Sequence, residues 1–102
     1  MKKKFILRNK SEIDNLFEVG KYTSNGIIML KSLDSDSTKF LFAVSSKKFK
    51  RAVDRNRIKR MMKESVRDLN IIGKNIAIVY VGKDVPTFEV MNKNIKSMLN
   101  VK

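Results

Sequence analysis

Six consecutive apolar residues, Ile76-Ala77-Ile78-Val79-Tyr80-Val81, limit the fold more than any other part of this chain. The run has strand length, is rich in β-branched residues and is broken by Gly82 and Pro86. A half-solvated strand would alternate apolar with polar side chains, so an unbroken run fits a strand covered on both faces. Such a strand lies inside a sheet and needs other layers against it. The chain has 102 residues, enough for one domain, read here as 1–102, with no room for a second.

The flanking segments can supply those layers. Ser11 is placed to cap a first helix, with Glu12 and Asp14 in the turn where carboxylates suit the helix dipole. Ile13, Leu16 and Phe17 fall on one side of it, and Gly20 can end it. Ile27–Leu30, extendable to Leu33, reads as a strand. Asp34-Ser35-Asp36-Ser37 reads as a turn, and Lys39–Ser45 as a second strand. In that second strand Phe40, Phe42 and Val44 share one face and Leu41 and Ala43 the other. The simplest pairing of the two strands is an antiparallel hairpin, with room for a short strand at Tyr22–Ser24 before it. Ala52–Leu69 predicts the longest helix, striped by Ile58, Met61, Met62, Val66 and Leu69. A last helix is expected from about Thr87, with Phe88, Met91, Ile95 and Met98 or Leu99 facing inward. The order is α-β-β-β-α-β-α, which makes this an α+β fold.

Charge then narrows the function. Lys and Arg number 23 against 10 Asp and Glu, a net charge of +13. That excess repels itself unless it meets a polyanion, with nucleic acid the first expectation and a membrane surface the second. The chain has neither Cys nor His. It therefore lacks a thiolate nucleophile, the usual general base near neutral pH and the commonest zinc ligands. No apolar run approaches the roughly 20 residues that span a bilayer. Only Phe5, Ile6 and Leu7 separate the basic start, Met1–Lys4, from Arg8, which is too little for a signal-peptide core. A cytoplasmic protein is expected.

The positive charge is concentrated. Between Lys47 and Arg67 lie ten basic residues (Lys47, Lys48, Lys50, Arg51, Arg55, Arg57, Lys59, Arg60, Lys63, Arg67) and two acidic ones, Asp54 and Glu64. At about 100° per residue, Asn56, Arg60, Lys63 and Arg67 stack opposite the apolar stripe. Arg57 and Lys59 lie on the shoulders of that face, and Arg55 falls nearer the apolar edge. Solvated helix faces usually interleave Glu with Lys at i,i+4, and here the acids are nearly missing. The arginines can bridge two phosphate oxygens, lysines act as mobile charges, and Asn56 can reach a ribose hydroxyl or a base edge.

Ser46-Lys47-Lys48, followed by Ala52-Val53-Asp54-Arg55-Asn56-Arg57-Ile58-Lys59-Arg60, resembles the signature of the bacterial ribonuclease P protein family. That signature is a Ser-x-Lys element and then Ala-Val-x-Arg-Asn-Arg-x-Lys-Arg. The resemblance runs along the whole chain. It implies a mixed four-stranded sheet with three helices and a left-handed strand–helix–strand crossover, an exception to the usual hand. It also implies a protein that does not itself cut RNA. The family's RNA subunit uses Mg²⁺ and removes the 5′ leader from precursor tRNA. The protein, a monomer in a 1:1 complex, docks on that RNA and holds the leader, with no cofactor of its own. Arg55, Asn56, Arg57, Lys59 and Arg60 would then face the RNA subunit, extended by Lys47, Lys48, Arg51, Lys63 and Arg67.

The resemblance further implies a leader cleft between the first helix and the sheet, assigned here to Ile13, Phe17, Ile28, Lys31 and Ser46. The family often carries two aromatics at i,i+4 on the first helix. This chain keeps the second, Phe17, and has Ile13 at the first. The usual Asn-Arg pair is Asn25-Gly26, an expected aromatic falls at about Lys31, and a usual glycine is replaced near Lys50. The cleft is expected to rely on charge and aliphatic packing more than on base stacking. Two other classes compete. A basic ribosomal or nucleoid protein would explain the charge but does not require the Arg55–Arg60 string. A nuclease with its own active site needs a base or a carboxylate cluster, and its one close acidic pair, Asp34 and Asp36, suits a turn better.

Overall fold

The computed structural model describes residues 6–67 and 73–99. In chain order these form α1 (Lys10–Val19), β1 (Lys21–Ser24), β2 (Ile28–Asp34), β3 (Lys39–Val44), α2 (Ala52–Val66), β4 (Lys74–Tyr80) and α3 (Phe88–Met98). The order of helices and strands is the one the sequence predicts. The predicted extension of the long helix to Leu69, and Lys2–Phe5 of the basic start, lie outside the described residues.

β4 carries the apolar run, and it is an inner strand of a single sheet ordered β1-β2-β4-β3. Ile76, Ile78 and Tyr80 point to one side, into a core with Ile28, Leu30, Phe40 and Phe42 from the sheet, Ile58, Met62 and Val66 from α2, and Met91 and Ile95 from α3. Ala77 points to the other side, where Leu16 of α1 and Leu7 bury it, with Ile13, Phe17, Leu33 and Leu41 packed around them. Both faces of β4 are therefore covered, as an unbroken apolar strand demands.

The expected hairpin between β2 and β3 does not form. β4 lies between them, antiparallel to β2 and parallel to β3, and the hairpin that does form joins β1 to β2. The reason lies in β4 itself: a strand covered on both faces gains most when both of its edges are also paired. β2 and β3 are thus two strand spacings apart, roughly 9.5 Å, and residues 35–38 bridge them across the start of β4. Gly73 makes the crossing possible. Its N–H donates to Thr38 Oγ1 (2.9 Å), its carbonyl accepts from the Ser35 N–H (2.8 Å), and its φ of 71° lies in the left-handed region. The expected Asp34–Ser37 hairpin turn is replaced: Asp34 is the last residue of β2, and residues 35–38 bend over a strand to reach β3.

Other local differences have simple causes. Asn9, not Ser11, caps α1, its Oδ1 accepting from the Glu12 N–H at 3.1 Å. Asn caps as well as Ser does, and Asn9 stands three residues before Glu12, the spacing of a capping box. Ile6 and Leu7, just before it, are anchored to the sheet. Ile6 bridges Phe40 in parallel fashion, and the Leu7 N–H donates to the Phe40 carbonyl (2.8 Å), covering the outer edge of β3. α3 begins where expected, and Thr87 caps it, accepting from the Val90 N–H (3.3 Å). Met91 and Ile95 are buried, but Phe88, also expected to face inward, is 43% exposed in the helix's first turn.

The loop after β4 is held by Tyr80. Its hydroxyl donates to the Asp84 carbonyl (2.6 Å), and its ring sits 5.9 Å from that of Phe49. A Cβ at Gly82 would overlap the Tyr80 ring and hydroxyl. Gly82→Ala should therefore cost about 1–3 kcal/mol, the usual range for overpacking, read as a lower urea midpoint with an unchanged slope. Burial, and after it the Asp84 carboxylate, raises the Tyr80 phenol pKa above its ordinary value. A raised folded-state pKa favours the neutral hydroxyl, so this contribution is complete below the ordinary phenol pKa and is lost as pH rises through the folded value. Tyr80→Phe should remove that part of the alkaline loss of stability in pH-dependent melts.

Candidate nucleic-acid interface

α2 has to pack and point outward at once, and its sequence divides accordingly. Ile58, Met62, Ser65 and Val66 are buried against the sheet and α3. Asn56, Arg57, Arg60, Lys63 and Arg67 are exposed, and Lys59 and Arg55 are half-buried on one flank. The predicted division of the helix is the observed one. Ser65, polar and fully buried, is satisfied by donating to the Met61 carbonyl (2.8 Å).

Charge pairing does little to neutralise this face. Arg67 Nη1 meets Glu64 Oε1 at 3.0 Å. Among the described residues no hydrogen bond or ion pair engages the side chains of Asn56, Arg57, Lys59, Arg60 or Lys63. These form a ridge of donors directed to solvent, the pattern that suits a row of phosphates.

Arg55 differs from its neighbours. Its Nη1 donates to the carbonyls of Phe49 (2.7 Å) and Lys50 (2.9 Å) and so braces the segment that leads into α2. Sequence reasoning placed Arg55 near the apolar edge but missed what it holds. Phe49 is the anchor of that segment, 6% exposed in the main core and stacked obliquely on Tyr80. A lone aromatic within a strongly basic stretch was the available signal. The turn itself is set by Ser45, whose Oγ accepts from the N–H groups of Lys47 (3.2 Å) and Lys48 (3.4 Å). Lys48 Nζ reaches back to the Val81 carbonyl (2.7 Å). Ser46, Lys47 and Arg51 are exposed around it.

On the α1 side of the sheet, the residues assigned to a cleft separate. Ile13 and Phe17 are half-buried on α1 beside Leu16. Lys31 Nζ donates to the Phe17 carbonyl at the end of α1 and lies 5.8 Å from the centroid of the Phe17 ring. A cation at a helix C-terminus and over an aromatic face is favourable on both counts. Ile28 does not belong here. It is fully buried in the main core with α2 and α3, because successive strand residues alternate faces and Lys31, three residues on, faces α1. The parity neighbour Met29 takes its place, opposite Val79, which is itself opposite Ala43. All three are half-buried. Ser46 lies two residues beyond β3, at this same end of the sheet.

Sequence reasoning also missed Tyr22. It pairs with Lys31 across β1 and β2, so its ring is on the α1 side of the sheet, and it is 57% exposed. Its position in a short edge strand was legible, but its partner was not until the β1–β2 register was known. The α1 face thus offers one exposed aromatic, one aromatic half-covered by a lysine, and an aliphatic floor. Asn75, on the same face, donates to Glu12 Oε2 (3.4 Å) and keeps a buried Oδ1 without a partner among the described residues. Glu12 lies 3.8 Å from Lys39. Among the described residues no three His, Cys, Asp or Glu cluster as a metal site would require, and Asp34 is paired with Lys74 (3.3 Å). Among the described residues no helix is long and apolar enough to cross a membrane.

The two kinds of arginine should separate in a stability assay. Arg55→Ala leaves two carbonyls of the anchoring segment without their donor and should cost about 1–3 kcal/mol. Arg57→Ala and Arg60→Ala, on the exposed face, should stay within about 0.5 kcal/mol of the parent in the same urea titration.

Comparison with known proteins agrees with this architecture. The family model described as Ribonuclease P matches residues 1–101. The ribonuclease P protein component of an Exiguobacterium species is 40% identical over 68 residues, covering 66% of this chain and 60% of the relative's own length. That of Chlorobium phaeobacteroides is 30% identical over 125 aligned positions, 98% of this chain and 86% of the relative. Among solved structures, the Staphylococcus aureus RNase P protein superposes with a TM-score of 0.83 at 18% identity, covering 95% of this chain and 94% of that one. The Thermotoga maritima RNase P protein gives 0.81 at 19% identity over 95% and 97%. At those identities the solved structures speak for the fold, and the family model and the curated relatives speak for descent. Signature helix, sheet order and whole-length match lead to one assignment: the chain belongs to the ribonuclease P protein family.

Proposed function

We propose that this chain is the protein subunit that docks on the catalytic RNA of ribonuclease P and holds the 5′ leader of precursor tRNA while that RNA removes it. The observation that carries the reading is the unpaired ridge of α2. Arg57, Lys59, Arg60 and Lys63 present charge that nothing in the described fold neutralises, on a helix that also bears the family signature. Lys47, Arg51 and Asn56 extend this surface, and Arg67 ends it. Arg55 and Lys48 act chiefly by fixing the entry to α2, since each already holds backbone carbonyls. Mg²⁺ belongs to the RNA subunit in this reading, and the protein's residues bind, orient and neutralise phosphates.

The α1 face is the proposed path of the leader. Tyr22 is open enough to carry a stacked base, Lys31 supplies charge, and Met29, Ala43 and Val79 give an aliphatic floor. Ridge and path meet at the carboxyl ends of the parallel strands β3 and β4, around Ser46, Lys47 and Lys48. A leader lying on the α1 face would therefore run toward the RNA that the ridge holds, in a complex of one protein with one RNA.

Adding the protein to its cognate RNA subunit should raise precursor-tRNA cleavage at low magnesium, and the protein alone should give no product. Absence of stimulation at every salt concentration would return the chain to a general RNA binder. Replacing both Arg57 and Arg60 by Ala should weaken RNA-subunit binding and flatten its salt dependence by roughly one unit per lost phosphate contact. An unchanged slope would mean that the ridge faces something else.

A further inference from the structure

α3 carries a second side that neither the core nor the ridge explains. Phe88, Asn92 and Lys96 recur at i, i+4 and i+8, so they share one side of the helix, roughly a quarter-turn from the core-facing Met91 and Ile95. Glu64 and Arg67, at the end of α2, form the facing wall of a groove of about 460 Å³. That is near the low end of small-ligand sites, about 300–1,000 Å³, with space for one base and its sugar but not for a helix. Phe88 is 43% exposed in a molecule that buries Phe40, Phe42 and Phe49. The acid in the groove, Glu64, is already engaged by Arg67. Arg67 keeps further donors, and Lys96 is a second basic residue in the groove's lining. Arg67 is also the last residue of the ridge, so the two surfaces are continuous.

We infer that this groove takes one unstacked nucleotide of the RNA that lies along α2, its base on Phe88, its edge at the Asn92 amide and its phosphate between Arg67 and Lys96. The inference rests on the proposed docking of the ridge on RNA. It adds that the contact continues onto α3 and includes a base, not phosphates alone. An exposed aromatic flanked by cations is the recurring means of gripping unpaired bases.

The chain contains no Trp, so Phe88→Trp installs a single tryptophan in the groove, excited selectively at the red edge where tyrosine does not absorb. Titrated with the ribonuclease P RNA subunit, its fluorescence should be quenched at saturation. Phe88→Ala should weaken RNA binding about tenfold with an unchanged salt slope, because stacking releases no counterions. Phe88→Tyr should retain affinity, whereas Phe88→Leu, apolar but without a π-face, should not. Circular dichroism of each variant checks that the fold persists. Emission indifferent to saturating RNA, with Phe88→Ala binding within about twofold of the parent, would overturn the inference. So would a Phe88→Ala variant that loses self-association in sedimentation at unchanged RNA affinity, which would give the groove to a second copy of the chain. The Arg57 and Arg60 double replacement separates the two proposals. If it reduces binding while Phe88 has no effect, only the groove reading falls; if it too changes nothing, both do.

Discussion

Enclosure of β4 is the constraint on which the rest of the molecule depends. Its side chains are apolar on both faces, so it cannot lie at an edge or face water. β2 and β3 take its two edges, α1 and Leu7 cover Ala77, and α2 with α3 cover Ile76, Ile78 and Tyr80. Because β3 and β4 run parallel, the chain must return the length of the sheet between them, and α2 is that return. A crossover helix buries one side and has nothing to pack against on the other. The cationic ridge occupies the side of α2 that the enclosure of β4 leaves over.

This division lets stability and electrostatics be set separately along one helix. Ile58, Met62 and Val66 supply the burial, while Arg57, Arg60 and Lys63 stay in water, where uncompensated charges cost little because salt screens them beyond about 10 Å. The same charges raise the free energy of the isolated protein modestly, and any polyanion that binds the native form lowers it again. The braces belong to neither group. Arg55, Lys48 and Tyr80 each satisfy a backbone carbonyl in the loops flanking α2 and β4, and so fix where the ridge begins.

Much of this was legible from residues alone. The β4 run, the two-sided α2 and the sequence of elements follow from periodicity, which reports how each segment meets its own surroundings. What periodicity cannot report is which segments meet. The β2–β3 hairpin was the natural reading of two strands and a Ser-Asp turn, and it failed because the competitor for that pairing lies some forty residues further on. Ile28 was misplaced for a related reason. It neighbours Met29 in sequence and looks equivalent to it, but only the sheet register decides which of the two faces α1. Phe49 and Phe88 show the converse. One aromatic inside a basic loop is buried and one at a helix start is exposed, and both outcomes depend on what packs nearby rather than on local pattern.

The bridge over Gly73 has a consequence for how the molecule is made. Residues 35–38 span a gap that is filled only when β4 arrives, so β2 and β3 cannot close the sheet by themselves. During synthesis both leave the ribosome with an unpaired edge turned toward the missing strand, and Phe40, Phe42 and Ile28 lack most of their cover until α2 and β4 follow. Such edges invite pairing with other chains. Until residue 80 is available to complete the sheet, the repulsion between densely positive chains opposes such pairing.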